Sequence, residues 1–473
     1  MARNLYLTGQ GRVRHEIVLG KPGSGKTEYM KLRIAQQMAA GGFMLIVDAK
    51  PSQEFRDWLS SVAYAYGRAS QMRVIDLQYP ERSHTWNPVA RGDGEAVAAR
   101  IAQIFGTDVR GDGEHFKQMF LNPLQLTVDC LRAIGCAYTI YDLYIALTHA
   151  PAMEWLLRST PDGPARRNYA MQLASYRVPV RGASGRTEWQ LDLRRMGSQF
   201  INTAQRLMPY GTGNLGRVMR TYAPEVDLLR AIDIAQIVYV PLPTLERSET
   251  AYAAARMLLA DFKAALADLY VRGEHSRPPV PGMFFGDEFA SWAIDGSEEL
   301  IEKARGANIG MQLLMQTSAG LTVRGEDFCA RIIGSCETKT FLTLGDPDTC
   351  ELAARICGEA LRTFRSESES HASGRTNRFL DAQLFHGVSR AQGRSVGSSE
   401  RYDYVVRPEE FARLAIGEAW VLPMAARQVF RVRFPMATPR ERHPYVKVAY
   451  EVPARAGVRL DQRFQRAAVE EVA

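Results

Sequence analysis

Residues 20–27 read Gly20-Lys21-Pro22-Gly23-Ser24-Gly25-Lys26-Thr27, preceded by the apolar stretch 14–19 (RHEIVL) and followed by helical spacing over 28–40. This is the order GxxxxGK[ST] in the strand, loop, helix context that gives the pattern its meaning. Glycines at these places let consecutive backbone N–H groups turn inward around a phosphate chain, and the start of the helix adds the positive end of its dipole. Gly20, Gly23, Ser24 and Gly25 then form the cradle, Lys26 reaches the outer phosphates, and the Thr27 hydroxyl sits on Mg²⁺. The ligand such a loop takes is ATP with Mg²⁺. The alternative is a chance glycine-rich turn before a helix, against which both flanks argue.

A site of this kind needs an acidic partner at the end of another buried strand. The stretch 281–288 (PGMFFGDE) supplies one, its apolar residues leading into Asp287 and Glu288. Asp287 is expected to hold Mg²⁺ through water, and Glu288 to polarise the attacking water, because neutral water is a poor nucleophile toward a phosphoryl group. An acidic pair ahead of the helix-like stretch from 298 onward also suits a helix cap. The catalytic reading takes precedence because no other apolar strand in the second half ends in two adjacent carboxylates. The next buried strand, 308–317 (NIGMQLLMQT), carries Gln316 at its end. There it can sense the γ-phosphate or the attacking water, or serve only as a polar strand terminus. Between the two strands, 301–307 (IEKARGA) presents Lys303 and Arg305. An Arg here is a solvated helix residue or, as in ring-shaped ATPases, a charge inserted into a neighbour's site.

These residues must be positioned by a sheet whose strands are far apart in sequence, since Lys26 and Asp287 are separated by 261 positions. Further strands are expected at 43–48 (FMLIVD), 72–77 (MRVIDL), 234–241 and 337–344, with a closing hairpin formed by 418–423 and 427–434. After Trp86-Asn87-Pro88 the spacing becomes helical, over 94–105, 115–134, 140–147, 165–175 and 188–207. The expected class is α/β: a P-loop nucleotide-binding core with a mainly parallel central sheet, interrupted by an all-α inserted domain. The expected division is 1–91 and 231–435 for the two parts of the core, 92–230 for the insertion, and 436–473 for a peripheral tail. Residues 366–400, rich in Ser, Gly and Arg, lack apolar periodicity and read as a mobile loop or ragged hairpin.

Composition narrows the class without naming it. The chain has 473 residues, is 46% apolar and carries a net charge of +7, which excludes a disordered tail protein or a disulfide-stapled miniprotein. Only nine of the 59 basic residues are Lys, and Arg suits bidentate phosphate contacts. The six cysteines form no CxxC pair, so they read as small core residues of a reducing compartment. No run reaches about 18 apolar residues; the longest candidate, 124–150, is interrupted by Asp129, Arg132 and Asp142. No signal peptide is legible, so the chain as given is expected to be cytosolic.

The Walker-type loop, the strand ending in Asp48 and Lys50, Trp86-Asn87-Pro88, the helical stretch, Asp287-Glu288, Lys303-Ala304-Arg305-Gly306 and Gln316-Thr317 together resemble the TraD/TraG-type coupling ATPases of conjugation and type IV secretion, within the FtsK/HerA translocase superfamily. The resemblance spans about 12–434. It implies a RecA-like domain assembled as a homo-hexameric ring, with the helical insertion at its cytosolic mouth. Such a ring pumps DNA or escorts a DNA–relaxase complex of the relaxosome to the secretion channel. It further implies that Arg14 and Arg305 are donated across subunits; Arg14 alone would read as a solvated residue before a strand. Family members usually carry transmembrane helices ahead of the Walker strand. The resemblance therefore implies either a soluble variant docked on a separate membrane-anchoring partner or the cytosolic part of a longer protein, in both cases at the cytoplasmic face of the bacterial inner membrane. Two other readings stay open: a recruitment platform for protein effectors with slow or regulatory ATP turnover, and a chromosome-type duplex DNA pump. The acid at the end of the chain, Glu470-Glu471, is too little for an acidic partner-binding tail.

Overall fold

Short runs of Ile, Val, Leu, Met and Phe bounded by Gly, Pro and Asp form the centre of the computed structural model, which describes residues 13–105, 112–181, 187–380, 383–423 and 428–448. Nine strands make one sheet: β1 (Glu16–Leu19), β2 (Met44–Asp48), β3 (Met72–Val74), β6 (Ile237–Pro241), β7 (Gly282–Gly286), β8 (Ile309–Met315), β9 (Thr338–Phe341), β12 (Glu418–Leu422) and β13 (Phe430–Arg433). Their order is β13-β12-β9-β1-β8-β7-β2-β6-β3. The seven strands from β9 to β3 are parallel, while β12 and β13 close one edge as the expected antiparallel hairpin.

Strands buried on both faces read as continuous apolar runs, and alternate residues feed two cores. Val18, Met44 and Ile46 face the helices Lys26–Ala40 and Gln53–Ala65 through Met30, Ile34, Trp58 and Leu59. Ile17, Leu19, Leu45 and Val47 face the long helix Thr244–Arg272 through Phe262 and Leu266, and that core continues into the helical region through Leu124, Val128 and Phe200.

The segment between β3 and β6 is mainly helical, but not wholly so. Strands β4 (Arg177–Arg181) and β5 (Thr187–Leu191) pair there as an exposed antiparallel hairpin. Val178 and Val180, and Trp189 and Leu191, alternate over only five residues each and remain largely exposed, too short a signal to stand out in a helical stretch, and the helical spacing expected from 188 begins only at Leu193. Of the two readings of the Ser/Gly/Arg-rich stretch the hairpin holds and the mobile loop does not: β10 (Glu359–Leu380) and β11 (Gln383–Tyr404) form a two-stranded antiparallel ribbon with continuous register. Its residues 367–373 and 390–402 are exposed. Over those residues no face is buried, so backbone pairing defines the ribbon there and hydrophobic periodicity cannot report it.

The tail lies outside the sheet yet is pinned to it over 436–448. The Trp58 indole donates to the Ala437 carbonyl (2.5 Å), the Tyr445 N–H donates to Asp57 (3.1 Å), and the His443 ring stacks on Tyr64. The expectations for 1–12 and for Glu470-Glu471 lie outside the described residues. All six cysteines are buried, and none of them forms a disulfide. Among the described residues, no helix is long and apolar enough to cross a membrane.

Candidate functional site

Strand order brings the candidate residues together. From β1 through β8 and β7 to β2, the C-terminal ends carry in turn the P-loop, Gln316, Asp287 with Glu288, and Asp48 with Lys50. In open parallel sheets this edge is where ligands bind.

The loop after β1 curls because Gly23 and Gly25 hold φ of 75° and 97°, a region that side-chain-bearing residues rarely adopt. Gly25 is the N-cap of the helix Lys26–Ala40, and its conformation directs the first N–H groups into the loop. Lys26 is buried, and its ammonium donates to the Gly20 carbonyl (2.5 Å) and the Lys21 carbonyl (3.2 Å). Burial pulls its pKa down, opposed by Glu288 and Asp287. A phosphate would replace weak carbonyl acceptors with a charged one. The buried Ser24 hydroxyl has no hydrogen-bond partner, whereas Thr27 is exposed at the helix start. A curled loop with an orphaned donor beside a buried ammonium fits a phosphate chain.

At the acidic side, burial first, then Asp48 and Glu288, push the Asp287 carboxyl up to about 7, against the pull of Lys50 and Lys26. A cation beside Asp287 would relieve this crowding, so the donor set of Thr27 and Asp287 fits Mg²⁺ completed by phosphate oxygens and water. Glu288 sits in the left-handed region at φ 48° and ψ 40°. For a non-glycine residue this costs about 1 kcal/mol, a strain that persists only where surrounding contacts impose it. Those contacts are present: Lys50 Nζ lies 2.5 Å and Gln316 Nε2 2.6 Å from Glu288 Oε1. The Trp292 indole also donates to the Asp287 carbonyl (2.9 Å). Gln316 thus contacts the carboxylate directly, which a mere strand terminus would not need to do. Lys50 as the partner of Glu288 was missed from sequence; its only signal was its place two residues after Asp48.

Arg14 and Arg305 are not at this edge. Arg14 precedes β1 and Arg305 opens the turn before β8, so both lie at the opposite, N-terminal edge. Six residues of nearly extended chain, roughly 20 Å, separate Arg14 from Gly20. Both guanidinium groups meet on Glu337, the residue before β9: Arg14 on Oε2 and Arg305 on Oε1, each at 2.7 Å. Nothing in the sequence marked Glu337. Lys303 pairs with Glu299 on its own helix (3.6 Å).

Trp86-Asn87-Pro88 joins the helical region to the sheet. The Trp86 indole donates to Asp261 (3.0 Å), the Asn87 amide donates to the Tyr138 and Thr221 carbonyls (2.9 and 3.0 Å), and Arg100 donates to the Pro88 carbonyl (2.6 Å).

His15, beside Arg14, is buried and accepts the Met311 N–H on Nδ1 (3.1 Å). Burial, then the charge of Arg305, pushes its pKa from 6.5 down to about 4, with a smaller upward push from the Ile301 backbone. Between these values the unfolded chain binds the proton more tightly, so stability rises with pH. The contribution is complete above 6.5 and is lost as pH falls through about 4. It amounts to at most about 3 kcal/mol. Urea unfolding at about pH 7.5 and about pH 5 is expected to show weakened stability at the lower pH, and His15→Gln should reduce that difference. An unchanged pH slope in the variant would assign the acid sensitivity elsewhere.

The chain is similar to several known proteins. Residues 281–415 match the family described as the TraM recognition site of TraD and TraG. The type 4 coupling protein DotL of Legionella pneumophila subsp. pneumophila is 22% identical over 438 residues, covering 82% of this chain and 54% of DotL. The chain therefore spans about half the length of that curated relative. Among solved structures, the bacterial conjugative coupling protein TrwB in unbound form is 16% identical with a TM-score of 0.61, covering 93% of this chain and 88% of TrwB. TrwB in complex with ADP and Mg²⁺ gives a TM-score of 0.58 at 16% identity, covering 92% and 88%. At this identity the likeness is one of fold: the mainly parallel central sheet of the RecA-like kind, with a helix-rich region.

Proposed function

We propose that this chain, as a member of the TraD/TraG-type coupling-protein family, hydrolyses ATP to move DNA, or DNA with its relaxase, toward a type IV secretion channel. The observation that carries the reading is the meeting of Lys26, Gln316, Asp287 and Glu288 at neighbouring strand ends. ATP is the substrate, and Mg²⁺, held by Thr27 and Asp287, would neutralise charge on its phosphates. Gly20, Gly23, Ser24 and Gly25 bind the phosphate chain through N–H and hydroxyl groups, and Lys26 binds its outer end. Glu288 takes a proton from the attacking water. Gln316 and Lys50 fix that carboxylate through Oε1, leaving Oε2 to face the water.

Arg14 and Arg305 lie too far from their own P-loop to serve it. Their place at the opposite sheet edge supports donation to a neighbouring copy in a homo-hexameric ring. Turnover then requires assembly, and the arginines neutralise charge that develops only in the transition state. In this reading 92–230 is the inserted domain at the cytosolic mouth of the ring, flanked by the two parts of the core, 1–91 and 231–435. The ring works at the cytoplasmic face of the inner membrane, through its own further segments or an anchoring partner. The match of 281–415 to a recognition-site family supports a surface for conjugation proteins on the second part of the core.

Steady-state ATP turnover with single-stranded DNA, duplex DNA and a candidate protein substrate tests the proposal. Single-stranded DNA should raise turnover several-fold at low salt, and its binding should weaken linearly in log salt as phosphate contacts release counterions. Stimulation by duplex alone would indicate a duplex pump, and stimulation by protein alone a recruitment platform. No response to either DNA form, without salt-dependent binding, removes the translocase.

A further inference from the structure

Three adjacent strands, β9, β1 and β8, begin side by side, and the residue or turn ahead of each carries a charge: Glu337, Arg14 and Arg305. Parallel register sets this up, because the Thr338 N–H donates to the His15 carbonyl (3.1 Å) and Glu16 pairs with both Thr338 and Gln312. One carboxylate receives both guanidinium groups, one on each oxygen. Exposure falls in an informative order: the Arg305 side chain is 54% exposed, Arg14 30%, and Glu337 14%. The arginines reach outward while the carboxylate is set back between them, beside a cavity of ≈ 590 Å³ that His15, Lys339 and Ser335 also line.

We infer that Glu337 is a positioning residue for hydrolysis in the neighbouring copy, one that holds Arg14 and Arg305 as a single two-pronged unit. The inference rests on the reading that these arginines act across a subunit boundary. Two cations brought to one carboxylate would repel each other without it, and each long side chain would sample many rotamers. Glu337 removes both obstacles before the subunits meet, so the arginines arrive spaced for one target and lose little further freedom on reaching it. Charge-assisted contacts of this geometry fix direction as well as distance. Glu337 contacts no reacting atom; it acts through the two arginines.

The test uses the full chain, measuring kcat and KM for ATP, assembly by sedimentation and melting temperature. Glu337→Gln should lower kcat on the order of tenfold while leaving KM and assembly near the parent, since the defect lies outside the variant's own nucleotide site. The decisive readout is complementation. Lys26→Ala subunits cannot turn over ATP but carry intact arginines and Glu337, so mixing them with Glu337→Gln subunits should restore turnover, as mixing them with Arg305→Ala subunits should. A merely structural loss in the Glu337→Gln subunit would not be repaired by its neighbour. If Glu337→Gln melts early, Glu337→Asp, which keeps the charge at shorter reach, should show a smaller loss repaired in the same way. The inference fails if Arg305→Ala is complemented while Glu337→Gln keeps parental kcat, or loses activity that Lys26→Ala subunits cannot restore. Failure of Arg305→Ala complementation in assembled mixed rings would instead remove the trans-arginine reading on which the inference stands.

Discussion

Glu288→Gln protein should bind ATP about as well as the parent and hydrolyse it at least about 100-fold more slowly, the range that loss of a positioned general base produces. The amide keeps the shape of the carboxylate and can still meet Gln316, but it cannot take the proton of the attacking water. It also gives up the ion pair with Lys50, which lies 2.5 Å from Oε1. Lys26→Ala is the contrasting case. It removes the buried ammonium that the loop holds ready at the Gly20 and Lys21 carbonyls, so binding and turnover should both be lost. Nucleotide binding by equilibrium titration, set beside steady-state turnover, separates the two defects. Parental turnover by Glu288→Gln would take Glu288 out of the base role and leave Asp287 as the carboxylate to examine.

Asp261→Ala is expected to destabilise the fold by about 3–5 kcal/mol, the usual cost of breaking a buried ion pair from one side. Asp261 is buried on the long helix Thr244–Arg272, where it accepts the Trp86 indole N–H and faces Arg100 at 3.3 Å. The Arg100 side chain is 2% exposed, so the alanine variant leaves a guanidinium charge and an indole N–H facing a void. Because Trp86 and Arg100 belong to the junction between sheet and helical region, the variant should also loosen that junction. Urea denaturation measures the first effect, and protease sensitivity over 92–230 the second. Stability within about 0.5 kcal/mol of the parent would show that the network carries little energy, as surface substitutions typically do.

The division between local and long-range information is visible in single residues. The P-loop was legible because its chemistry is contiguous: eight residues, an apolar strand before them and a helix after. Asp287, Glu288 and Gln316 were legible because each closes an apolar run, and at the C-terminal end of a parallel strand a polar residue points to a ligand. The β4–β5 hairpin was obscured, and the β10–β11 ribbon was legible only as one of two alternatives, for the opposite reason. Neither buries a face among the described residues, and periodicity records burial rather than backbone pairing. Trp86-Asn87-Pro88 stood out as a phrase, but its work is structural, and only the folded chain puts Asp261 behind the indole.

By itself the sequence determined the glycine-rich loop between strand and helix, the acidic strand end and the α/β alternation, since each is a property of neighbouring residues. The tertiary structure decided where the two arginines stand and what holds them. Arg14 and Glu337 are 323 positions apart and Arg305 and Glu337 are 32 apart, yet the order β9-β1-β8 sets all three at one edge. That order is fixed by crossovers and by packing on both faces of the sheet, and no local stretch of sequence contains it. The same order places the glycine-rich loop at the far end of β1, so one short strand separates the proposed phosphate site from the two arginines proposed to serve a neighbour.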